Sequence, residues 1–309
     1  MSSAPGSPGR SPVVGVDIGG TKILAAVVGA DGVIGELIRR PTPAADGPQA
    51  VLSAAIDAAR SALTASAETG VACGVGTAGA VDPSGRISHA TASLPGWTGT
   101  DVRGAFEAAL GLTTIVLNDV HAMALSEAAG EAGTVLVVAA GTGVGGALLR
   151  DGVLVAGEHG LAGSVGHLPS VVRNSRPCGC GGVDHVEAYA AGPAIAADYA
   201  ARRGLPGSVA LEAVAAAAAD GDAAALAAID LGARVLGAGL AAAATLLDPA
   251  AMVLGGGVLN LGGRYLSAVR DEVAAHSLGE TGRAVVRTTA WGPAAVVAGA
   301  ARAARNARS

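Results

Sequence analysis

The pair Asn118-Asp119 is the clearest candidate for proton-transfer chemistry in this sequence. It follows residues 113–117, whose β-branched side chains predict a buried strand, and residues 120–127 after it predict a helix. Ligands of open α/β folds bind where strands end and helices begin. A carboxylate at such a place can accept the proton of a substrate hydroxyl, so we interpret Asp119 as a general base. The alternative is that Asp119 only caps the helix.

Two glycine-rich turns could approach the phosphates of a nucleotide. The first is Gly19-Gly20-Thr21-Lys22, and the second occupies residues 141–146; each lies between two predicted strands. Adjacent glycines let backbone N–H groups come close to a phosphate, and the repetition suggests a duplicated phosphate-binding hairpin. Neither turn has the Gly-Lys-Ser/Thr ending of a P-loop, and a strand rather than a helix follows the second. Hairpin turns without a ligand are the alternative.

Two further features would complete a nucleotide site. Asp17 directly precedes the first turn, where a carboxylate can hold a hydrated Mg²⁺ ion. A third glycine run, residues 255–257, follows a predicted strand at residues 251–254 and could pass beneath a ribose or base. A tight strand-to-helix turn is the alternative for this run.

Four potential metal ligands lie within a short glycine-rich stretch: His167, Cys178, Cys180 and His185. Two cysteines and two histidines suit tetrahedral Zn²⁺. The stretch has few apolar residues with which to form its own core, so we expect the metal to hold it. Two reduced surface thiols beside two unrelated histidines are the alternative.

A sugar ring could be accommodated by the small residues 76–82 together with Trp97. Small side chains followed by a single aromatic residue suit a carbohydrate. A tryptophan packed at the surface is the alternative.

The elements that must position these residues alternate between strands and helices. A β-meander is predicted at residues 12–18, 23–28 and 33–38, and amphipathic helices at 48–67 and 101–110. Further helices are predicted at residues 187–201, 209–219, 223–247, 264–276 and 293–304, and strands at 71–76, 133–140, 147–150 and 284–289. This alternation predicts an α/β protein.

Composition excludes several functional classes. The chain has 309 residues, a net charge of −5 and no basic cluster, which argues against a nucleic-acid surface. Its apolar runs are too short or too rich in glycine to span a membrane, and the N-terminus lacks a signal pattern. The three cysteines form no disulfide framework, so we expect a reducing cytoplasm.

Together these motifs resemble the ROK family of sugar kinases and repressors, over residues 13–304. The matching motifs are Gly15-Val-Asp-Ile-Gly-Gly-Thr-Lys22, Leu94-Pro-Gly-Trp97, Asn118-Asp119, residues 141–146, Gly166-His167, residues 178–181, Glu187-Ala-Tyr-Ala190 and Leu254-Gly-Gly-Gly257. The resemblance implies a two-lobed actin-like fold of the hexokinase type (ribonuclease H-like), with duplicated lobes and a zinc-bound loop. The first strand begins at residue 12, leaving no room for a repressor's helix-turn-helix domain, which favours the kinase branch.

The resemblance also implies roles for individual residues. Asp119 is the catalytic base, and the residues expected at the sugar are Gly79, Asn118, Asp119, Ser164, His167 and Glu187. ATP and its phosphates are expected at Asp17, Gly19, Gly20, Thr21, Lys22, Gly141, Thr142, Gly143, Gly145, Gly256 and Gly257. Mg²⁺ accompanies ATP, structural Zn²⁺ is held by His167, Cys178, Cys180 and His185, and the assembly expected from the family is a homodimer or homotetramer.

The expected domain organisation follows the family. A disordered tail covers residues 1–11. A small N-terminal lobe comprises residues 12–118 and 293–309. A large C-terminal lobe comprises residues 119–292 and includes a zinc loop at residues 167–187.

Two positions depart from the family pattern. Family members usually have Gly-Glu-Ile-Gly-His, and this chain has Gly163-Ser-Val-Gly-His167, so Ser164 replaces a carboxylate that normally holds sugar hydroxyls. A sugar with a substituent at C2 therefore becomes plausible. The third cysteine of the usual zinc motif is His185 here, which preserves tetrahedral ligation.

The sequence therefore predicts an ATP-dependent kinase that phosphorylates the 6-hydroxyl of a hexose, of the glucose or N-acetylmannosamine type. Asp119 is its base. The alternative is a sugar-sensing protein with weakened catalysis, which the replacement at Ser164 motivates.

Overall fold

The computed structural model describes residues 11–66, 70–90, 93–128, 132–279 and 285–307. The chain divides into two compact units. Unit 1 comprises residues 1–130, 152–154 and 290–309, and unit 2 comprises residues 131–151 and 155–289. Nearly all of the tail expected at residues 1–11 lies outside the described residues.

Unit 1 contains a five-stranded sheet in the order β3-β2-β1-β4-β7. Its strands are β1 (Val13–Ile18), β2 (Lys22–Val28), β3 (Ile38–Pro41), β4 (Ala72–Thr77) and β7 (Thr113–Asn118). The first three strands form the antiparallel meander, whereas β1, β4 and β7 run parallel. Every residue of β1 is buried, as in a central strand covered on both faces.

Helices cover both faces of this sheet. They are α1 (Pro48–Ala65), α2 (Val102–Leu110), α3 (Asp119–Glu127) and α9 (Ala295–Asn306), and a small hairpin of β5 (Ala80–Val81) and β6 (Ile87–His89) lies between β4 and α2 in the chain. One core cluster joins α1 and α2 to alternate residues of β1, beginning with Val14. A smaller cluster joins α9 to Val13 on the other face, as the two-residue period of a strand requires.

Close backbone approach explains why this unit is rich in glycine and alanine. A Cβ atom at Gly15 would overlap the carbonyl oxygen of Val297, and one at Gly74 would overlap that of Ala300. Gly299 meets the carbonyl of Ala122 in the same way. Helix α9 therefore lies so close to the sheet and to α3 that no residue larger than glycine fits at these three positions.

Unit 2 repeats the same strand arrangement. The second sheet has the order β10-β9-β8-β11-β12. Four of its strands lie in unit 2: β8 (Thr134–Ala140), β9 (Val144–Arg150), β11 (Ala251–Gly255) and β12 (Val285–Thr288). The edge strand β10 (Val153–Val155) contains residues assigned to unit 1. The hairpin β8–β9 is antiparallel, and β8, β11 and β12 run parallel. The hairpin followed by two parallel strands thus occurs in both units.

The helices of unit 2 are α4 (Glu187–Ala190), α5 (Gly192–Arg203), α6 (Leu211–Ala219), α7 (Ala223–Leu247) and α8 (Gly263–His276). The longest, α7, begins at Asp222, whose carboxylate accepts the N–H groups of Ala224 and Ala225. It ends at Asp248 in the left-handed region. Among the described residues, α7 is the one helix long and apolar enough to cross a membrane, but 56% of its most apolar window is buried within the protein.

Two predicted elements are wrong in their bounds. The third strand is β3 at Ile38–Pro41 rather than residues 33–38, because Val33 is exposed and only Ile34 forms an isolated bridge before pairing resumes. The helix predicted at residues 187–201 is broken at Ala191, which is extended, and Pro193 opens a new helix. A proline fits the first turn of a helix, where its missing N–H is not needed.

The division into lobes at residues 118/119 and 292/293 stays a prediction. In this structure, α3 lies in unit 1 with β7, and α9 packs on β1 and β4 of the same unit.

The packing of α9 yields a stability prediction. Gly74→Ala should lower the melting temperature, because the new methyl group overlaps a backbone carbonyl; overpacking typically costs about 1–3 kcal/mol. Gly263→Ala is the matched control, since nothing lies near its Cβ position, and alanine there favours the helix. Thermal unfolding followed by circular dichroism measures both. Equal melting temperatures for the two variants would contradict the packing argument.

Candidate active site

Three parallel strands of unit 1 end side by side. Ile18, Thr77 and Asn118 are neighbours in one register row across β1, β4 and β7. Asp17 lies one residue before this row and Asp119 one residue after it. The sheet thus brings together, at the carboxyl ends of its strands, two of the carboxylates predicted to act at the site.

Asn118 is the principal cap of α3. Its Oδ1 accepts hydrogen bonds from the N–H groups of Val120 at 3.0 Å and His121 at 3.3 Å, and its Nδ2 donates to the carbonyl of Gly79 at 2.9 Å. Asp119 accepts one further bond from Val120 N–H, at 2.9 Å. The capping role weighed for Asp119 therefore falls mainly on its neighbour, which fixes the start of the helix that presents Asp119.

Both carboxylates hold their protons more tightly than usual. Burial raises the pKa of Asp119 to about 6, against the opposing effect of hydrogen bonds from Val120 and Asn118. Burial also raises the pKa of Asp17 to about 7; the nearby charge of Asp119 adds to the rise and Lys22 opposes it. Raised values from desolvation and a like charge are common among groups that exchange protons in catalysis.

The first glycine turn is tied to a residue that sequence reasoning missed. Gly19 N–H donates to the carbonyl of Lys22 at 3.0 Å, and the Thr42 hydroxyl donates to the carbonyl of Gly19 at 2.6 Å. A Cβ at Gly20 would lie 2.8 Å from Cβ of Ser93, so only glycine fits there. Nothing in the local sequence links Thr42 to this turn, because the pairing of β2 with β3 brings the two together.

Trp97 is a core residue rather than an exposed sugar platform. Its side chain is 1% exposed, and its indole N–H donates to the Thr77 hydroxyl at 3.2 Å. The prediction that Trp97 helps to accommodate a sugar ring is wrong, and so is the alternative of a tryptophan packed at the surface, because the side chain is buried. Its indole N–H instead fixes the side chain of Thr77, the last residue of β4.

In unit 2, the second and third glycine turns lie next to each other. Gly255 pairs with Ala139 across β11 and β8, and a Cβ at Gly256 would overlap the backbone of Ala140. Gly256 has a φ of 97°, which favours glycine. The Cβ position of Gly141 is 3.9 Å from the N–H nitrogen of Gly257. The predicted phosphate residues Gly141, Thr142, Gly143, Gly145, Gly256 and Gly257 thus share one end of the sheet.

Glu187 joins the second glycine turn to the predicted metal ligands. Its Oε2 accepts the Val144 N–H at 2.9 Å, and its Oε1 lies 3.5 Å from Sγ of Cys178. A Cβ at Gly143 would lie 2.5 Å from the same Oε2. The glycine at position 143 is therefore needed as much for this carboxylate as for any ligand, a link that sequence spacing alone does not reveal.

Ser164 lies in a turn that packs tightly on β9. Its hydroxyl donates to the carbonyl of Leu161 at 2.7 Å. Cβ atoms at Gly146 and Gly166 would overlap backbone carbonyls of Gly163 and Val144, respectively. The serine side chain is thus engaged by its own turn.

The four predicted metal ligands converge. One donor atom from each of His167, Cys178, Cys180 and His185 lies within 4.8 Å of the others. The Sγ atoms of Cys178 and Cys180 lie 3.8 Å and 3.2 Å from the Nδ1 atoms of His167 and His185. Ligand bonds of about 2.0–2.3 Å in a tetrahedron separate neighbouring donor atoms by roughly 3.3–3.8 Å. The donor set and its spacing therefore fit zinc.

The sequence model of the ROK family matches residues 13–307. The chain belongs to the ROK family. An N-acetylmannosamine kinase from Shigella flexneri is 35% identical over 189 residues, which cover 60% of this chain and 63% of that protein. The match thus spans less than two thirds of the length of the first curated relative.

Two solved structures cover nearly the whole chain. The ROK hexokinase from Thermus thermophilus has a TM-score of 0.80 and 31% identity, over 96% of this chain and 98% of that one. The ROK family glucokinase from Streptomyces griseus, in complex with glucose and AMPPNP, also has a TM-score of 0.80 and 31% identity, over 96% and 100%. The expected fold is confirmed: an α/β ROK sugar kinase fold of the actin-like, hexokinase type.

The raised pKa of Asp17 gives a pH prediction for stability. Because the folded state binds this proton more tightly than the unfolded state, the contribution of Asp17 to stability is greatest below about pH 4 and is lost as pH rises towards 7. Asp17→Asn should therefore raise the free energy of unfolding at pH 8 by on the order of 2–4 kcal/mol, and the melting temperature with it. At pH 4 it should change both little. Thermal scans in EDTA, without Mg²⁺, measure this.

The control is Asp46→Asn, an exposed carboxylate of the same unit. It should leave the melting temperature unchanged at both pH values. A destabilised Asp17→Asn protein at pH 8 would show that its ionised form stabilises the fold, against this prediction.

Proposed function

We propose that this protein is a sugar kinase that transfers the γ-phosphoryl group of ATP to the 6-hydroxyl of a hexose. The observation that carries the proposal is the carboxylate of Asp119, partly buried at the carboxyl end of β7 with a pKa raised to about 6. A carboxylate with that pKa is ionised at neutral pH and basic enough to take a hydroxyl proton as the oxygen attacks. The membership of the chain in the ROK family and its similarity to sugar kinases support the same activity.

The glycine turns would bind the phosphates. In unit 1 this role falls on Gly19, Gly20, Thr21 and Lys22, and in unit 2 on the residues of the second and third turns, at 141–145 and 256–257. Backbone N–H groups fixed in advance stabilise the charge that develops during transfer without reorganising. Asp17 is the residue that would hold Mg²⁺, which supplies positive charge to the polyphosphate when bound.

Sugar recognition would involve Gly79, Asn118, Ser164, His167 and Glu187. Asn118 has a second role, since its amide caps α3 and so orients Asp119. At Ser164, the hydroxyl faces Leu161 and presents no negative charge. A site without that carboxylate lacks a hydrogen-bond acceptor for a C2 hydroxyl. We therefore infer a preference for N-acetylmannosamine-type sugars over glucose.

The ligand loop, residues 167–187, would hold zinc through two cysteines and two histidines. Four protein ligands leave no open coordination position, so zinc would serve structure rather than activate a water molecule. Within the loop, zinc ligation of His167 would fix the orientation of a residue expected at the sugar.

A second candidate function is a sugar-sensing protein with weakened catalysis. The observation that favours it is again Ser164, where the family's usual carboxylate is absent. Sensor and kinase differ in one measurable respect: both bind sugar, but only the kinase releases ADP.

The test is a coupled ADP-release assay with ATP, Mg²⁺ and glucose, mannose, N-acetylglucosamine or N-acetylmannosamine. We expect turnover with at least one sugar, highest with an N-acetyl sugar. Asp119→Asn should lower kcat by roughly 10²–10⁴-fold with the fold intact, because it removes the general base. The kcat/KM of the unaltered enzyme should fall below about pH 6, where Asp119 becomes protonated.

The outcomes separate the candidates. Sugar binding by calorimetry without ADP from any sugar would replace the kinase with the sensor. Near-normal turnover of the Asp119→Asn variant would contradict the assignment of Asp119 as the general base. Ser164→Glu restores the missing carboxylate and should shift preference towards glucose; an unchanged sugar preference would remove Ser164 as a specificity determinant.

For the metal, we expect close to one zinc per chain by elemental analysis of protein purified without chelators. Cys178→Ser should abolish most of this zinc, since it removes a buried ligand. Cys73→Ala is the control: burial raises the pKa of this thiol to about 12, and Cys73 lies in β4 of unit 1. A metal-free protein that is fully stable and active would refute the zinc site.

A further inference from the structure

The carboxylate of Asp184 is a hydrogen-bonding centre within the ligand loop. Its two oxygens accept the N–H groups of Asn174 at 3.2 Å, Ser175 at 3.1 Å and Arg176 at 2.9 Å. The Tyr189 hydroxyl donates a fourth bond, at 2.6 Å. Asp184 and Tyr189 are both buried, at 6% and 1% exposure. One side chain thus satisfies three consecutive backbone donors that precede the first cysteine ligand.

Arg176 connects this centre to the helix that follows. Its guanidinium lies over the Tyr189 ring, 4.5 Å from the ring centroid. It also forms an ion pair with Asp198 of α5, a buried carboxylate that Arg202 contacts as well. Charge-assisted pairs of this kind in partly buried positions are stronger than surface pairs. The stretch before Cys178 is therefore anchored to α5 through side chains.

The backbone of the loop also forms hydrogen bonds of its own. Asp184 N–H donates to the Arg176 carbonyl at 2.8 Å, Ser170 N–H to the Asp184 carbonyl at 2.7 Å, and Cys178 N–H to the Gly182 carbonyl at 2.8 Å. These bonds lie close to two of the four predicted ligands: Cys178 follows Arg176 by two residues, and His185 follows Asp184 directly.

We propose that Asp184, Tyr189 and Arg176 are positioning residues that hold the ligand loop in its metal-binding geometry before the metal arrives. The proposal rests on the zinc site assigned above. It replaces the expectation that the metal alone orders a loop with little core of its own. A site ordered in advance pays little conformational entropy on binding, so it binds zinc more tightly and releases it more slowly.

The direct test is hydrogen exchange of the zinc-free protein, prepared with a chelator and followed by mass spectrometry over residues 168–190. The amides of Arg176, Cys178 and Asp184 should stay protected, within about tenfold of the zinc-loaded protein. Exchange of these amides at the rate of an unstructured peptide in the zinc-free form would overturn the proposal. The measurement needs no kinase activity, so it is independent of the proposed function.

Two variants test the centre itself. Asp184→Asn puts an NH₂ group where one carboxylate oxygen accepts, and Tyr189→Phe removes one donor while keeping the ring under Arg176. Each should speed zinc release to a chromogenic chelator by roughly 10–100-fold, the size of the loss in metal affinity that residues supporting a metal site typically cause when they are replaced. Each should also raise exchange at residues 174–178 in the zinc-free protein.

The chain offers a matched control for each variant. Asp230→Asn removes an exposed ion pair with Arg264 in the same unit. Tyr265→Phe removes a buried hydroxyl that has no hydrogen-bond partner among the described residues. Both controls should leave zinc release and loop exchange unchanged.

The remaining outcomes are distinct. Equal zinc release by the variants and their controls would overturn the positioning role, even if the loop stays ordered. If the unaltered protein binds no zinc, the zinc site fails, and the exchange of the zinc-free loop still decides whether these residues order it. A variant that misfolds would show lost protection across unit 2, whereas the proposal requires loss confined to the loop.

Discussion

Two carboxylates held away from water at the ends of parallel strands are the constraint on which unit 1 depends. An ionised carboxylate that loses its hydration costs several kcal/mol unless other groups compensate. Asp119 receives partial compensation from the Val120 N–H, and Asp17 from the charge of Lys22. Neither is fully compensated, which is why both pKa values are raised. In the proposed function, these are the positions at which a general base and a cation-binding carboxylate are required.

That placement requires small residues around the strand ends. Gly76 lies in β4 between the two acidic strands, and its Cβ position is 3.7 Å from Cα of Asp119 and 3.1 Å from Cβ of Ala122. A side chain there would overlap Cγ1 of Val296 in α9, 2.3 Å away, and would crowd α3 through Ala122. Asn118 then fixes the helix start by accepting two N–H groups. The high glycine and alanine content is thus a condition for the geometry of the site, rather than a neutral feature of composition.

Local chemistry made most of the strands, the helix after Asn118 and the convergence of the four cysteine and histidine side chains predictable. A β-branched run followed by a cap, or four ligands at close spacing, is fully contained in a short segment. The features that escaped prediction depend on pairs distant in sequence. Trp97 contacts Thr77, Thr42 contacts Gly19, and Glu187 contacts Val144. The break at Ala191 escaped because Pro193 starts a helix as readily as it ends one.

The contacts of Glu187 connect the ligand loop to the second glycine turn. One oxygen of this carboxylate fixes an N–H at the start of β9, and the other lies beside a cysteine of the metal cluster. The Asp184 centre orders the same loop from its other side, through the residues before Cys178. Tyr189, two residues after Glu187, belongs to that centre. The glycine turn, Glu187 and the metal ligands are therefore parts of one connected structure within unit 2. A loop that only bound a metal ion would need no such connection, whereas a loop that positions Glu187 against the second glycine turn does.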